Sequence, residues 1–173
     1  DQIDSAIKSL DTLDKWVVVH PTTDIAEEAH FWRARLVKAR GDRTLAKGAY
    51  LSYLDFHPTG KYVRDAHFNI GLMSLEQGRA EDAEREFTYL ISGKSNDQIF
   101  SNTLLADALY NLASVRILQT RFDDAVAILE PLAVLPAFKS DPAYLYKLGH
   151  VKVTLGRVPE AETHFRDALS KPK

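Results

Sequence analysis

Six histidines and two short motifs are the features of this 173-residue sequence that could do chemistry. The histidines contain no HExxH pair, and no pair shares a helix face with a carboxylate at metal-ligand spacing. They are His20, His30, His57, His67, His150 and His164. A Ser-x-x-Lys motif at residues 5–8 lacks its companion motifs, and the Gly-Lys-Ser of residues 93–95 follows Thr88 where a phosphate loop requires glycine. The sequence therefore predicts no enzymatic activity, no metal site and no cofactor.

The composition restricts the class of partner. Hydrophobic residues make up 45% of the chain and charged residues 27%, as in an ordinary soluble domain. The net charge of -2 and the pI of about 6.3 provide no positive field for a phosphate backbone, so no nucleic-acid partner is expected. No run approaches the ~18 apolar residues of a membrane span, and the absence of cysteine excludes disulfides and thiolate chemistry. Because the chain begins at Asp1, we expect a processed protein or a fragment of a longer one.

A repeated pattern of small residues organises the chain. The segment AHFNIGLMSLEQGRAEDAEREF, residues 66–87, aligns with residues 29–50, 108–129 and 144–165. Each copy has a small residue before a turn and an alanine after it. These structural repeat positions are Ala34, Ala46, Gly71, Ala83, Ala113, Ala125, Gly149 and Ala161, and the turn residues are Gly41, Gly78, Thr120 and Gly156. Four copies in register predict four repeated structural units.

Each copy has a helical pattern on both sides of its turn, because apolar residues recur at intervals of three and four. In the second copy Ile70 and Met73 precede the turn, and Ala83 and Phe87 follow it. Small residues at the repeat positions let the two helices approach closely. We therefore interpret the glycines as packing residues, since a glycine-rich phosphate loop would have to follow a strand.

These features resemble the tetratricopeptide repeat (TPR), a helix pair of about 34 residues with small residues at both positions. The resemblance covers residues 24–171 and implies an all-α, right-handed superhelical solenoid of antiparallel helix pairs with about nine helices. We expect one domain over residues 1–173. Its parts are an orphan helix of an upstream repeat (1–22) and four repeats (23–60, 61–97, 98–139 and 140–173). His30 and His67 stand where the family has an aromatic packing residue, so they are interpreted as packing residues too.

In this family the first helix of each repeat lines a concave groove, and the resemblance assigns groove positions here. They are Phe31, Trp32, Arg35, Phe68, Asn69, Leu72, Tyr110, Asn111, Ser114, Tyr146, Lys147 and His150. Aromatic rings give rigid apolar contact, and an asparagine amide can pair with a peptide N–H and C=O together. These residues suit an extended peptide. The alternative for the rings is that they pack between neighbouring helices.

The leading hypothesis is a non-catalytic scaffold that binds a partner peptide or protein segment in this groove. One alternative is an assembly module that self-associates or joins a larger complex through its ends or convex face. Another is a regulatory appendage of an enzyme or membrane protein carried elsewhere in the full chain. The family's chaperone-binding carboxylate clamp is absent, because aromatic residues occupy the position of its first lysine.

Three further expectations concern the cellular location, a basic segment and the two end helices. The rhythm of residues 50–87 resembles repeats of bacterial cell-envelope proteins, which favours the periplasm or cell envelope over the cytoplasm. The basic residues of RARLVKARGDRTLAK, residues 33–47, could hold an acidic partner or form a solvated face. The apolar residues of both end helices lack a polar cap, so we expect partner contacts or self-association there; they are Leu10, Leu13, Trp16, Val17, Val151, Leu155, Phe165 and Leu169.

Overall fold

A computed structural model describes residues 2–20, 23–94, 98–99 and 101–170, with the side chains of residue 10 and residues 12–18 left out of the description. The described residues are helical with short turns, and they contain no strand. The chain divides into two compact units, residues 1–77 and 78–173. The division falls within the second predicted repeat, so each unit is described separately.

The first unit contains four helices. They are α1 (Gln2–Val19), α2 (Asp24–Arg40), α3 (Arg43–Phe56) and α4 (Val63–Glu76). Helix α2 packs on both α1 and α3, and α4 packs on α3. The side chains of Thr23 and Asp42 cap the first turns of α2 and α3 by accepting backbone N–H groups of those helices. Gly41 ends α2 with a φ of 95°, a left-handed conformation that a glycine adopts without strain.

The core of the first unit is aromatic. Phe31 from α2 stacks on Tyr62 with ring centroids 4.1 Å apart, and it meets the rings of Tyr50 and Tyr53 edge-on. Tyr53 donates its hydroxyl proton to Glu27, whose carboxylate also accepts the backbone N–H of residue 61. These contacts join α2, α3 and the turn before α4 into one packed layer.

The second unit contains six helices with assigned bounds. They are α5 (Ala80–Ile91), α6 (Thr103–Leu118), α7 (Phe122–Leu132), α8 (Pro136–Lys139), α9 (Pro142–Thr154) and α10 (Val158–Ser170). Helix α6 packs on α5 and α7, and α9 packs on α7, α8 and α10. The nine expected helices are present in the described residues, and the one-turn α8 is an addition within the junction before the fourth repeat.

The small residues at the repeat positions are buried. All six alanines among them have 0% exposure, and Gly71 and Gly149 are buried as well. A Cβ built at Gly149 would lie 2.7 Å from Cε1 of Phe165, so the glycine lets α9 and α10 pack closely. In the third copy Thr120 occupies the turn position with a φ of 59°. The glycines at the same position in the other three copies have φ angles of 70° to 95°.

The apolar residues expected to be exposed on the fourth repeat are exposed only in part. Val151 is fully buried, because it packs with Ala125 and Val126 of α7, so it does not face outward. Leu155 and Phe165 are half-buried, while Leu169 is 87% exposed. The side chains of Leu10, Leu13, Trp16 and Val17 lie outside the described residues. None of the described helices is long and apolar enough to cross a membrane.

Candidate functional site

The second unit has a pocket of about 610 Å³ between α6 and α9, the first helices of the third and fourth repeats. Its walls are Tyr110, Ser114, Ile117, Pro142, Ala143, Tyr146, Lys147 and His150. Five of these eight were predicted as groove residues, and they come from two segments more than 30 positions apart in the sequence. The third and fourth repeats therefore bring five predicted groove residues into one pocket.

Helical spacing explains which side chains reach the pocket. Tyr110 and Ser114 are four residues apart on α6, and Tyr146 and His150 are four apart on α9, so each pair lies on one helix face. The Asp141 carboxylate caps α9 by accepting the N–H groups of residues 143 and 144 at 3.0 and 3.3 Å. This cap fixes where α9 starts and therefore which of its residues face α6.

Lys147 links the two walls of the pocket. Its Nζ donates a hydrogen bond to Ser114 Oγ at 2.6 Å and lies 3.7 Å from the centroid of the Tyr110 ring. Burial lowers the pKa of Lys147 to about 8, and the Asp141 carboxylate opposes that change. The pocket thus contains a half-buried amine between a hydroxyl and an aromatic face.

The aromatic side chains differ in exposure. Tyr146 is 60% exposed, and its ring lies roughly parallel to that of His150 with centroids 6.3 Å apart. Tyr110 is half-buried against Phe138, and burial raises the pKa of its hydroxyl. A ligand in the pocket would therefore meet an exposed ring on one side and a fixed ring on the other.

In the first unit Trp32 and Phe31 have opposite surroundings. Trp32 is exposed, carries the Arg35 guanidinium 4.6 Å from its ring centroid, and lines an apolar pocket of about 570 Å³ between α1 and α2. Phe31 is only 3% exposed and belongs to the core. The expectation that Phe31 lines the groove does not fit this position, and the packing alternative describes it, because Tyr62 and Tyr53 cover its ring.

The two predicted asparagines are engaged within the chain. Asn69 donates Nδ2 to the carbonyl of Asp65 at 2.7 Å, and its Oδ1 accepts a hydrogen bond from Lys38 Nζ at 2.6 Å. Asn111 donates Nδ2 to the carbonyl of Asp107 at 2.8 Å. A peptide in the groove would share the Asn69 amide with these two partners, since the amide has two N–H donors and two acceptor lone pairs. Phe68 and Leu72 are half-buried on the same helix as Asn69.

Several arginines of the basic segment, residues 33–47, pair with carboxylates of their own unit. Arg33 contacts Asp11, and Arg43 contacts Glu76 at 2.6 Å. The Arg40 guanidinium lies 3.8 Å from the Asp4 carboxylate on α1. The sequence left open whether this segment holds an acidic partner or is a solvated face. The acidic groups of α1 and α4 pair with Arg33, Arg40 and Arg43 within the same unit.

Sequence reasoning missed three of the residues that line the α6–α9 pocket. Ile117 lies three residues after Ser114, so helical spacing could have found it. Pro142 and Ala143 are the first two residues of α9, and an aspartate followed by proline is a recognisable helix start. No cluster of three or more histidine or acidic side chains suited to a metal ion exists in the part of the chain that the structure describes.

The paired helices and the buried small residues between them define an all-α, TPR-like solenoid fold, and comparison with solved structures confirms this prediction. No protein-family profile matches the sequence, and no curated protein sequence matches it. The chain is similar to MamA of Desulfovibrio magneticus RS-1, with a TM-score of 0.73 and 17% identity over 94% of this chain and 82% of that one. It is also similar to kinesin-light-chain TPR-like repeats of Podosopora anserina, with a TM-score of 0.74 and 13% identity over 98% and 86% of the two chains.

A third similar structure is YrrB, described as a TPR protein with an unusual peptide-binding site. Its TM-score is 0.67 and its identity 16%, and the match covers 90% of this chain and 72% of YrrB. At these identities the likeness is one of fold.

Proposed function

We propose that the chain is a non-catalytic interaction scaffold that binds an extended protein segment between the first helices of its third and fourth repeats. The observation that carries the proposal is the pocket between α6 and α9, where five predicted groove residues converge. Its volume of about 610 Å³ lies in the range of about 300–1,000 Å³ usual for ligand sites. The fold likeness to a peptide-binding TPR protein supports the same proposal.

Tyr146 is the expected anchor of the bound segment. Its ring is largely exposed, lies against the pocket, and is held from behind by Phe165 at a centroid distance of 5.7 Å. Large aromatic side chains supply much of the free energy of binding at interfaces at a low cost in conformational entropy. A bound segment would bury this ring against its own apolar side chain.

The experiment is a selection of random 12-residue phage-displayed peptides on the immobilised chain, followed by fluorescence anisotropy with the selected peptide. Tyr146→Ala should weaken binding by about tenfold, which corresponds to about 1.4 kcal/mol. Tyr89→Ala is the matched control, because Tyr89 is similarly exposed at 55% but lies on α5 and does not line the pocket. Equal affinities of the wild-type chain and the Tyr146 variant would contradict binding at this pocket.

A second candidate is association of two copies through α10. Val158 and Leu169 are 56% and 87% exposed, and eleven residues of helix place them on one face. Exposed apolar faces of this kind favour association. Light scattering over a range of concentrations should show a dimer that Leu169→Ser abolishes; a constant monomer mass would exclude this candidate. Location in the bacterial periplasm or cell envelope stays a prediction.

A further inference from the structure

The two lysines of α9 have contrasting surroundings. Lys152 is 5% exposed and forms ion pairs with Glu130 and Glu160 at 2.8 and 2.7 Å. Lys147 contacts the Ser114 hydroxyl and the Tyr110 ring, and among the described residues no ion pair includes it. The buried Lys152 is therefore paired with carboxylates, whereas the half-buried Lys147 contacts a hydroxyl and an aromatic ring.

The difference changes the charge state of the two amines. At Lys152 burial disfavours the ammonium, but the hydrogen bonds that its Nζ donates to two carboxylates outweigh burial and raise the pKa. At Lys147 burial dominates and lowers the pKa to about 8, with Asp141 as the opposing carboxylate. The remaining titratable groups around Lys147 in the pocket are Tyr110, Tyr146 and His150. A substantial fraction of Lys147 is thus a neutral amine with a free electron pair near neutral pH.

We propose that the α6–α9 pocket is a covalent capture site for aromatic aldehydes, in which the Lys147 amine forms an imine with the aldehyde carbon. Lysine amines become nucleophiles toward carbonyl compounds when an apolar pocket desolvates them. The pocket is open, offers about 610 Å³, and has Ile117 and Pro142 among its apolar walls. Tyr110 and Tyr146 provide the faces on which an aromatic aldehyde can stack.

The reaction needs only the amine and the aldehyde. The Nζ electron pair forms a bond to the carbonyl carbon, and the π electrons of the carbonyl move to its oxygen. A proton passes from Nζ to that oxygen, which gives a carbinolamine. Loss of the hydroxyl group together with the second Nζ proton releases water and leaves the C=N bond, without oxidation or reduction.

Two neighbours of Lys147 are placed to move these protons. Ser114 Oγ lies 2.6 Å from Nζ, within hydrogen-bond reach of the reacting group. His150 is three residues further along α9, is exposed, and lines the same pocket. An imidazole has a ring nitrogen that can donate a proton and another that can accept one. This activity goes beyond peptide binding, because a small aldehyde occupies the pocket without a protein partner.

Labelling of the intact chain with salicylaldehyde and sodium cyanoborohydride tests the proposal, with peptide mapping by mass spectrometry at pH 7.4. An amine of pKa about 8 is neutral in about a fifth of the molecules at this pH, and one near 10.5 in about one in a thousand. Lower basicity offsets part of this advantage. We expect Lys147 to be labelled at least about tenfold faster than Lys139, an exposed lysine of the same unit.

Two variants and a pH profile complete the test. Lys147→Arg should remove the fast labelling, and the matched Lys139→Arg should retain it, with circular dichroism to verify that both variants are folded. The Lys147 rate should reach half its maximum near pH 8. Equal labelling of both lysines in the wild-type chain would overturn the proposal, and this result does not depend on any variant. Peptide binding is measured separately, so either proposal can fail alone.

Discussion

The energetic consequence of the close packing of α9 on α10 can be measured by substituting alanine for two helix-interior glycines, one at this contact and one away from it. A Cβ at Gly149 would lie 2.7 Å from Cε1 and 3.0 Å from Cδ1 of Phe165, so the ring has to move. A Cβ at Gly48 in α3 would meet no described heavy atom within 4 Å outside its own stretch of helix. Alanine at the two positions therefore makes the same chemical change with and without a steric conflict.

The expected free energies of unfolding follow from two contributions. Alanine inside a helix stabilises by about 0.5–1 kcal/mol relative to glycine at both sites. Overpacking against Phe165 costs about 1–3 kcal/mol at Gly149 alone. We expect Gly48→Ala to raise the free energy of unfolding by about 0.5–1 kcal/mol and Gly149→Ala to lower it by about 1 kcal/mol. The difference between the two changes in the free energy of unfolding is the energetic cost of the steric conflict with Phe165.

Urea denaturation followed by circular dichroism measures both variants, provided that the m-value stays constant. Phe165→Leu adds a double-mutant cycle, in which the Gly149→Ala substitution should lose most of its cost because the ring edge is absent. If Gly149→Ala stabilises the chain as much as Gly48→Ala does, close approach of α9 and α10 does not explain the glycine.

Two other predictions concern the second unit. Hydrogen bonds from Gln119 and Arg116 hold the pKa of Glu84 below its usual value, so the stability that Glu84 contributes is present above its unfolded-state pKa and is lost as the pH falls through its lower folded-state pKa. Thermal melts from pH 6 to pH 3 should therefore show a smaller loss of stability for Glu84→Gln than for the wild-type chain, and parallel losses would contradict this assignment. Asp141→Ala should lower the free energy of unfolding by about 1 kcal/mol in urea denaturation, because the α9 cap is lost. Asp141→Asn should keep most of the wild-type stability, because asparagine also caps helices. Equal losses in the two variants would indicate that the charge of Asp141, and not its cap, is responsible.

The helix pairs were predictable because their cause is local. Small residues such as Ala125 and Ala161 recur at fixed intervals within each copy, and the burial that they permit depends only on two helices joined by a short turn. Helix α8 was missed because Pro136 and Phe138 form a single turn, too short to show a helical period.

The chemistry of the site was less predictable because it depends on distances between helices. The resemblance to the TPR family assigned Lys147 to the groove positions, but its lowered pKa arises from burial beside Ser114 and Tyr110 of α6, which no spacing encodes. Phe31 occupies the same repeat position as Tyr146, yet Tyr62 covers one ring and the other is exposed. The pairing of Arg33 with Asp11 likewise required the position of α1.

The left-handed Thr120 in the third turn has a consequence for the evolution of this chain. A β-branched residue with a φ of 59° costs of order 1–3 kcal/mol in backbone strain that glycines at the other three turns avoid. Proteins under selection retain such losses as long as enough stability remains. The α6–α7 turn is therefore a place where a single change to glycine gives the chain spare stability, which it can then lose to mutations that alter the neighbouring pocket.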